Sequence, residues 1–155
     1  MKKALVLTNG LYQTSDAKTA HGLVRGSERF LIAGIIDNTQ TANKDAGELL
    51  DSTHRNIPVF ADLAAALSTI KDADTLIIGV ATVGGKLPVE MLVIIKEAIS
   101  KGLSIVNGLH DYLNEHADLV ELALKNNSIL IDIRKPKKRE DLHFFTGDIF
   151  NIKTP

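Results

Sequence analysis

Four short segments of this 155-residue chain hold residue types that suit a ligand. Gly84-Gly85, within Thr82-Val83-Gly84-Gly85-Lys86-Leu87-Pro88, exposes main-chain N–H groups with no Cβ in the way. A helix starting at Pro88 adds unpaired N–H groups and a positive dipole end, a combination that suits an anion. Thr8-Asn9-Gly10 offers a second such turn with two polar side chains. Asp37 ends an apolar run, a position from which a carboxylate accepts hydrogen bonds from a ribose or an amine. His110, in Asn107-Gly108-Leu109-His110, carries an imidazole that can take or give a proton and is the best candidate for a catalytic proton transfer. The candidate ligand-binding set is therefore Thr8, Asn9, Gly10, Asp37, Thr82, Gly84, Gly85, Gly108 and His110. Each also has a plainer reading: the glycines as tight turns, and His110 as a helix start beside the cap Asp111.

Other chemistry is less well supported. His21 and Arg25 lie one helical turn apart. They either face a ligand over the strand-one loop or form an exposed polar stripe. The five histidines show no H-x-x-x-H spacing, so no metal site is expected. The dinucleotide fingerprint G-x-G-x-x-G is missing after strand one, where the sequence reads Asn9-Gly10-Leu11-Tyr12-Gln13. Tyr12 and Gln13 would crowd a pyrophosphate there. Gly10 and Asp37 are 27 positions apart, longer than the roughly 20 that the fingerprint expects. No G-x-x-x-x-G-K-S/T occurs either.

These residues need elements to position them. Continuous apolar runs predict strands at 4–7, 30–36, 57–60, 75–81, 103–106 and 128–133, each covered on both faces. Helices are expected at 17–25, weakly at 45–50, then at 63–70, 88–100 and 111–127, the last divided near Asn114. Strands and helices alternate as in βαβ crossovers. This predicts an α/β, doubly wound, Rossmann-like, mostly parallel six-stranded sheet in the order 3-2-1-4-5-6. Ligands in such sheets bind at the carboxyl ends of the strands where the order reverses, here between strands one and four. The Gly10 turn and the Gly84-Gly85 loop are expected to face each other there, flanked by Asp37 and His110. A Rossmann-like domain is expected over 1–135, with 136–155 a linker or extension. The basic run Arg134 to Arg139 reads as a solvated exit from strand six or as a phosphate contact. Leu142-His143-Phe144-Phe145 reads as a segment that docks on the body or on a neighbour.

Composition excludes several classes. A hydrophobic content of 45% and charged content of 24% are ordinary for a globular domain. A net charge of −1 gives no electrostatic case for nucleic acid or an anionic membrane. There is no cysteine, hence no disulfide or thiolate chemistry. The apolar run after Met1-Lys2-Lys3 is too short for a signal peptide, and no stretch is long enough to span a membrane, so a cytoplasmic location is expected.

Several segments together carry a resemblance. They are Leu7 to Tyr12, Ala17 to Phe30, Gly79 to Pro88, Asn107-Gly108-Leu109-His110-Asp111-Tyr112-Leu113, Asp132 to Pro136 and His143 to Gly147. The chain resembles the N-terminal Rossmann-like domain of the domain-of-unknown-function family numbered sixteen-eleven. That resemblance implies a second, P-loop NTPase-like domain as partner, which would begin at about Pro155. It also implies, for some members, N-acetyl transfer to D-amino acids such as D-glutamate from acetyl-CoA, with acetyl-CoA or a nucleotide as the cofactor. The leading expectation is a ligand-binding domain of such an enzyme, offering its strand-end crevice to a nucleotide-like or acidic small molecule. The first alternative is a non-catalytic interaction module that packs on another subunit, as in a homo-oligomer. The second is a stand-alone NAD-dependent oxidoreductase, which the missing fingerprint disfavours.

Overall fold

The computed structural model describes residues 1–136. Apart from Pro136, the extension expected over 136–155, with His143 and the Leu142 to Gly147 segment, lies outside the described residues. Ala4, Leu5, Val6 and Leu7 are all fully buried, because strand β1 (Lys2–Leu7) runs through the middle of a sheet covered on both faces. Strands β2 (Phe30–Ile36), β3 (Val59–Phe60), β4 (Thr75–Ile78), β5 (Ser104–Asn107) and β6 (Leu130–Asp132) join it. The order is β3-β2-β1-β4-β5-β6 and every pairing is parallel. This is the doubly wound, Rossmann-like α/β sheet that the alternation predicts.

The connecting helices are α1 (Lys18–Arg25), α2 (Ala46–Asp51), α3 (Leu63–Thr69), α4 (Val89–Ser100) and α5 (Ala117–Lys125). Right-handed crossovers that travel in opposite directions from the centre place α1 and α4 on opposite faces. Asp62 caps α3 by accepting from the Ala65 amide at 2.8 Å. No helix of the described residues is long and apolar enough to cross a membrane.

Strand four, expected to reach Ala81, leaves the ladder after Ile78. The Gly79 amide still donates to the Leu7 carbonyl, but the Gly79 carbonyl accepts from Ala20 of α1 at 2.9 Å. The Ala81 amide then donates to the Asp16 carbonyl at 2.8 Å. Backbone groups that would have extended the sheet are spent on the start of α1. Gly79 permits this approach, since a Cβ there would strike Val6 Cγ1 and lie 2.9 Å from the Ala20 Cβ.

Three carboxylates fasten the loops. Asp37, 6% exposed, accepts at Oδ1 from the Thr8 hydroxyl (2.7 Å), the Gly10 amide (2.9 Å) and the Tyr12 amide (3.0 Å). Its Oδ2 accepts from the Thr41 hydroxyl at 2.6 Å. Asp45 caps α2 through the Gly47 and Glu48 amides and also takes those of Arg55 and Ile57. Asp132 accepts from the side chains of Asn107 and Asn114 and the amides of Leu113 and Asn114. That clamp holds Leu113–Glu115 as a separate 3-10 turn, so α5 begins at Ala117 rather than at 111. Burial pushes the carboxyls of Asp45 and Asp132 up, but their hydrogen-bond donors outweigh it and hold both below the ordinary value.

These features set three expectations for urea unfolding. Gly79→Ala overpacks the α1–β4 contact and lowers stability by about 1–3 kcal/mol. Asp37→Ala strands four donors and lowers it by about 3 kcal/mol or more, with no ligand present. Because the folded-state carboxyls of Asp45 and Asp132 are depressed, their contribution is intact above the unfolded value of 3.8. It is lost as the pH falls below that value through the depressed folded-state values, so the urea midpoint drops on acidification below 3.8, and Asp132→Asn flattens the drop.

Candidate functional site

The carboxyl edge of the sheet collects the loops that follow each strand, but it does not gather all the expected residues in one place. Thr82, Gly85, Gly108 and His110 line one cleft of about 170 Å³ at the ends of β4 and β5. Thr19 of α1 and Arg134, just beyond β6, complete its walls. Thr8, Asn9, Gly10, Asp37 and Gly84 lie outside this lining. Thr8 is buried and the Gly10 amide points back to Asp37, so the donors of that turn face inward. Both oxygens of Asp37, expected to hold a ribose or an amine, are already occupied by the protein's own donors. The opening therefore lies one strand over from the β1–β4 switch point, which α1 has covered by descending on Gly79.

His21 and Arg25 belong to a different neighbourhood. His21 Nε2 lies 2.6 Å from the Tyr12 carbonyl, so that nitrogen carries the proton and donates. Its ring meets the Tyr12 ring edge-on at 5.4 Å. Tyr12, which the sequence suggested would crowd a pyrophosphate, is fully buried with its hydroxyl donating to the Ala46 carbonyl at 2.7 Å. Arg25 reaches Asp51, the last residue of α2, at 3.8 Å. These side chains join α1 to α2 and do not overhang the cleft.

In the loop after β4 the glycine pair divides its work, and only Gly85 lines the cleft. Gly84 and Gly85 both adopt left-handed φ, +64° and +67°. A side chain at Gly84 would extend into open space, whereas one at Gly85 would come within 3.0 Å of the His110 Cβ. Gly85 thus brings the loop after β4 against the loop after β5, and Gly84 supplies only the turn. Asp111 locks the two loops together. Its amide donates to the Gly85 carbonyl at 3.1 Å, and its Oδ2 accepts from the Leu87 amide at 3.0 Å. His116 Nε2 lies 2.8 Å from Asp111 Oδ1. The Leu87 amide first, and then His116, hold the Asp111 carboxyl below its ordinary value.

His110 is exposed, and its Nε2 lies 3.2 Å from Arg134 Nη1. The guanidinium is always a donor, so Nε2 accepts and the neutral ring carries its proton on Nδ1. The pair presents a fixed positive charge and a titratable ring at the cleft, beside the Thr82 side chain and the Gly85 backbone. Arg134 can bind an anionic group there and His110 can move a proton next to it, whereas the Thr82 hydroxyl and the Gly85 amide already donate to the Lys86 and Thr82 carbonyls. Arg134 and Thr19 were missed as individual residues. Arg134 follows strand six by two positions and Thr19 lies in the first turn of a helix. Both places lead to the carboxyl edge in any parallel α/β sheet. Among the described residues no cluster of three His, Asp or Glu side chains is placed to hold a metal ion.

Comparison with known proteins follows the same lines. A solved structure of a DUF1611 family protein from Anabaena variabilis superposes with a TM-score of 0.75 at 30% identity, covering 86% of this chain and 37% of that one. An oxidoreductase structure from Bacillus cereus, at 14% identity and a TM-score of 0.57, shares the fold alone. A D-glutamate N-acetyltransferase of a Pseudoalteromonas species is 48% identical over 64 residues, which are 41% of this chain and 19% of that protein. The match thus spans about a fifth of the length of that curated relative. Residues 39–136 match the family described as a domain of unknown function (DUF1611_N), a Rossmann-like domain. The chain belongs to that DUF1611_N family of Rossmann-like domains.

Proposed function

We propose that this domain is the ligand-binding Rossmann-like part of an enzyme that acetylates an acidic D-amino acid, and that the β4–β5 cleft seats the ligand's carboxylate. The observation that carries the reading is the Arg134 guanidinium at the cleft, beside His110 and the Thr82 side chain. A carboxylate entering there gains a charge-assisted partner from Arg134. His110 is then free to exchange a proton with an amino group. A cleft of about 170 Å³ suits an amino-acid-sized group, since drug-sized ligands occupy about 300–1,000 Å³. The named activity of the relative supplies the substrate class, and the family resemblance supplies acetyl-CoA as the donor.

A dinucleotide-dependent oxidoreductase is the weaker reading, because the G-x-G-x-x-G fingerprint is missing and Asp37 is buried with both oxygens already accepting from the protein's own donors. An interaction module draws support from Val83, Val89 and Val93, which are 97%, 72% and 62% exposed. A second domain or subunit laid over that rim would bury them and close the cleft.

The test is a thermal-shift series with D-glutamate, acetyl-CoA and NAD at millimolar concentration. D-glutamate raises the melting temperature and NAD does not. Arg134→Gln weakens D-glutamate binding by about tenfold or more, the value of one charge-assisted hydrogen bond. The absence of any shift, with folded protein throughout, would sink the ligand reading and leave the interaction module standing.

A further inference from the structure

Ile77 of β4, Val106 of β5 and Ile131 of β6 are register partners and form a row across the sheet. Thr19 and Leu23 of α1 share a groove of about 210 Å³ with that row, so the row lies on the α1 face. Ile77 and Val106 are buried, and the groove opens toward the sheet edge, where Ile131 is 38% and Ile133 61% exposed. Arg29 and Phe30, where β2 begins, complete the lining. The groove adjoins the β4–β5 cleft. Thr19 lines both, and Ile133 of the groove is followed directly by Arg134 of the cleft. Gly108 of the cleft stands beside this junction. A Cβ there would have only Ile133 Cδ1 within 4 Å, at 3.6 Å, so the gap on that side is open.

We propose that cleft and groove form one site for a carboxylate joined to a linear apolar arm, with the head group at Arg134 and the arm over Ile131, Val106 and Ile77. The inference rests on Arg134 seating a carboxylate, as proposed above. Charge places the head, because Arg134 is a permanent cation at the cleft beside His110. Burial places the arm, because methylenes leave water most favourably where apolar side chains already line the walls. The sheet sets the length. From β6 to β4 the floor spans two strand spacings, about 10 Å. An extended chain of roughly eight carbons covers that span, at about 1.3 Å of advance per C–C bond of about 1.5 Å. A protein partner fits less well, since stable association takes about 800 Å² from each side. A groove of about 210 Å³ instead suits part of a small ligand. Two sources supply this chemistry: a free fatty acid, and an N-acylated amino acid whose acyl chain departs from the nitrogen beside His110.

Dissociation constants for butanoate, hexanoate, octanoate and dodecanoate, measured by calorimetry on the full chain, test the proposal. Affinity rises by up to about fourfold per methylene as far as octanoate and then levels off. The corresponding alcohols bind about tenfold more weakly or worse, and Arg134→Gln weakens every acid by a similar factor. Gly108→Leu closes the gap and removes the dependence on length; Gly108 has no left-handed φ and accepts a side chain. Ile131→Asn, at a half-exposed position, removes it too, and circular dichroism verifies that both variants are folded. N-acetyl- and N-octanoyl-D-glutamate form the second arm. A gain in that pair larger than in the fatty acids assigns the acylated amino acid, and a smaller one assigns the free acid. A flat series in both arms overturns the proposal, and D-glutamate binding that persists beside it leaves the carboxylate seat standing. A rise with length that the alcohols match, or that survives both Gly108→Leu and Ile131→Asn, overturns it as well.

Discussion

Oδ1 of Asp37 is the point on which the carboxyl edge is organised. It accepts from a side chain and two amides of the turn after β1, while Oδ2 holds Thr41 in the loop after β2. A buried charge is tolerable only when its lone pairs are engaged, and this one is satisfied entirely from within. The turn at Asn9-Gly10 needs left-handed backbone at both residues, with φ of +49° and +86°. Asp37 is the anchor that holds that unusual path in place. With the turn fixed, Tyr12 is directed into the core and α1 starts where it can meet Gly79. The position of the open cleft follows from there, because what α1 covers is no longer available to a ligand.

The same device recurs along the edge. Asp45, Asp111 and Asp132 each collect backbone amides that strand exits and helix starts would otherwise leave unpaired. A parallel sheet concentrates such donors at one end, and carboxylates placed within loops gather them. Where the gathering is complete, as around Asp37, the edge is closed to outside molecules. At the ends of β4 and β5 a cleft stays open, and an arginine stands beside it.

Much of this was legible in the sequence. The uninterrupted apolar runs at Ala4 to Leu7 and Thr75 to Ile78 announced strands buried on both faces, and their spacing fixed both the fold and the strand order. The loops at Thr82 to Gly85 and Gly108 to His110 stood out as glycine-bearing strand exits, and the structure brings them together where Gly85 meets His110. What was not legible was how each polar group is used. A carboxylate at the end of strand two looks the same in sequence whether it receives a ribose or the amides of its own neighbour. The difference lies in distances of a few tenths of an ångström. Arg134 was obscured by the lysines and arginine that follow it, since a basic run carries no mark of which member turns toward the sheet. Strand β4 stops short of its apolar run because α1 competes for its hydrogen bonds, a tertiary effect that no local pattern records.

The strand order also governs how the molecule comes into being. β1 is made first and ends in the centre, paired on one side with β2 and on the other with β4. During synthesis it can zip to β2 early, but its second edge stays open until residues 75–78 have emerged. A growing chain therefore carries a bare, wholly apolar strand edge for a long interval, the condition under which nascent polypeptides pair with the wrong neighbour. Closing that gap is a long-range event and slow by nature. The Gly79–Ala20 contact, which binds α1 to β4, can form only after it closes, so the cleft is among the last features of the domain to take shape.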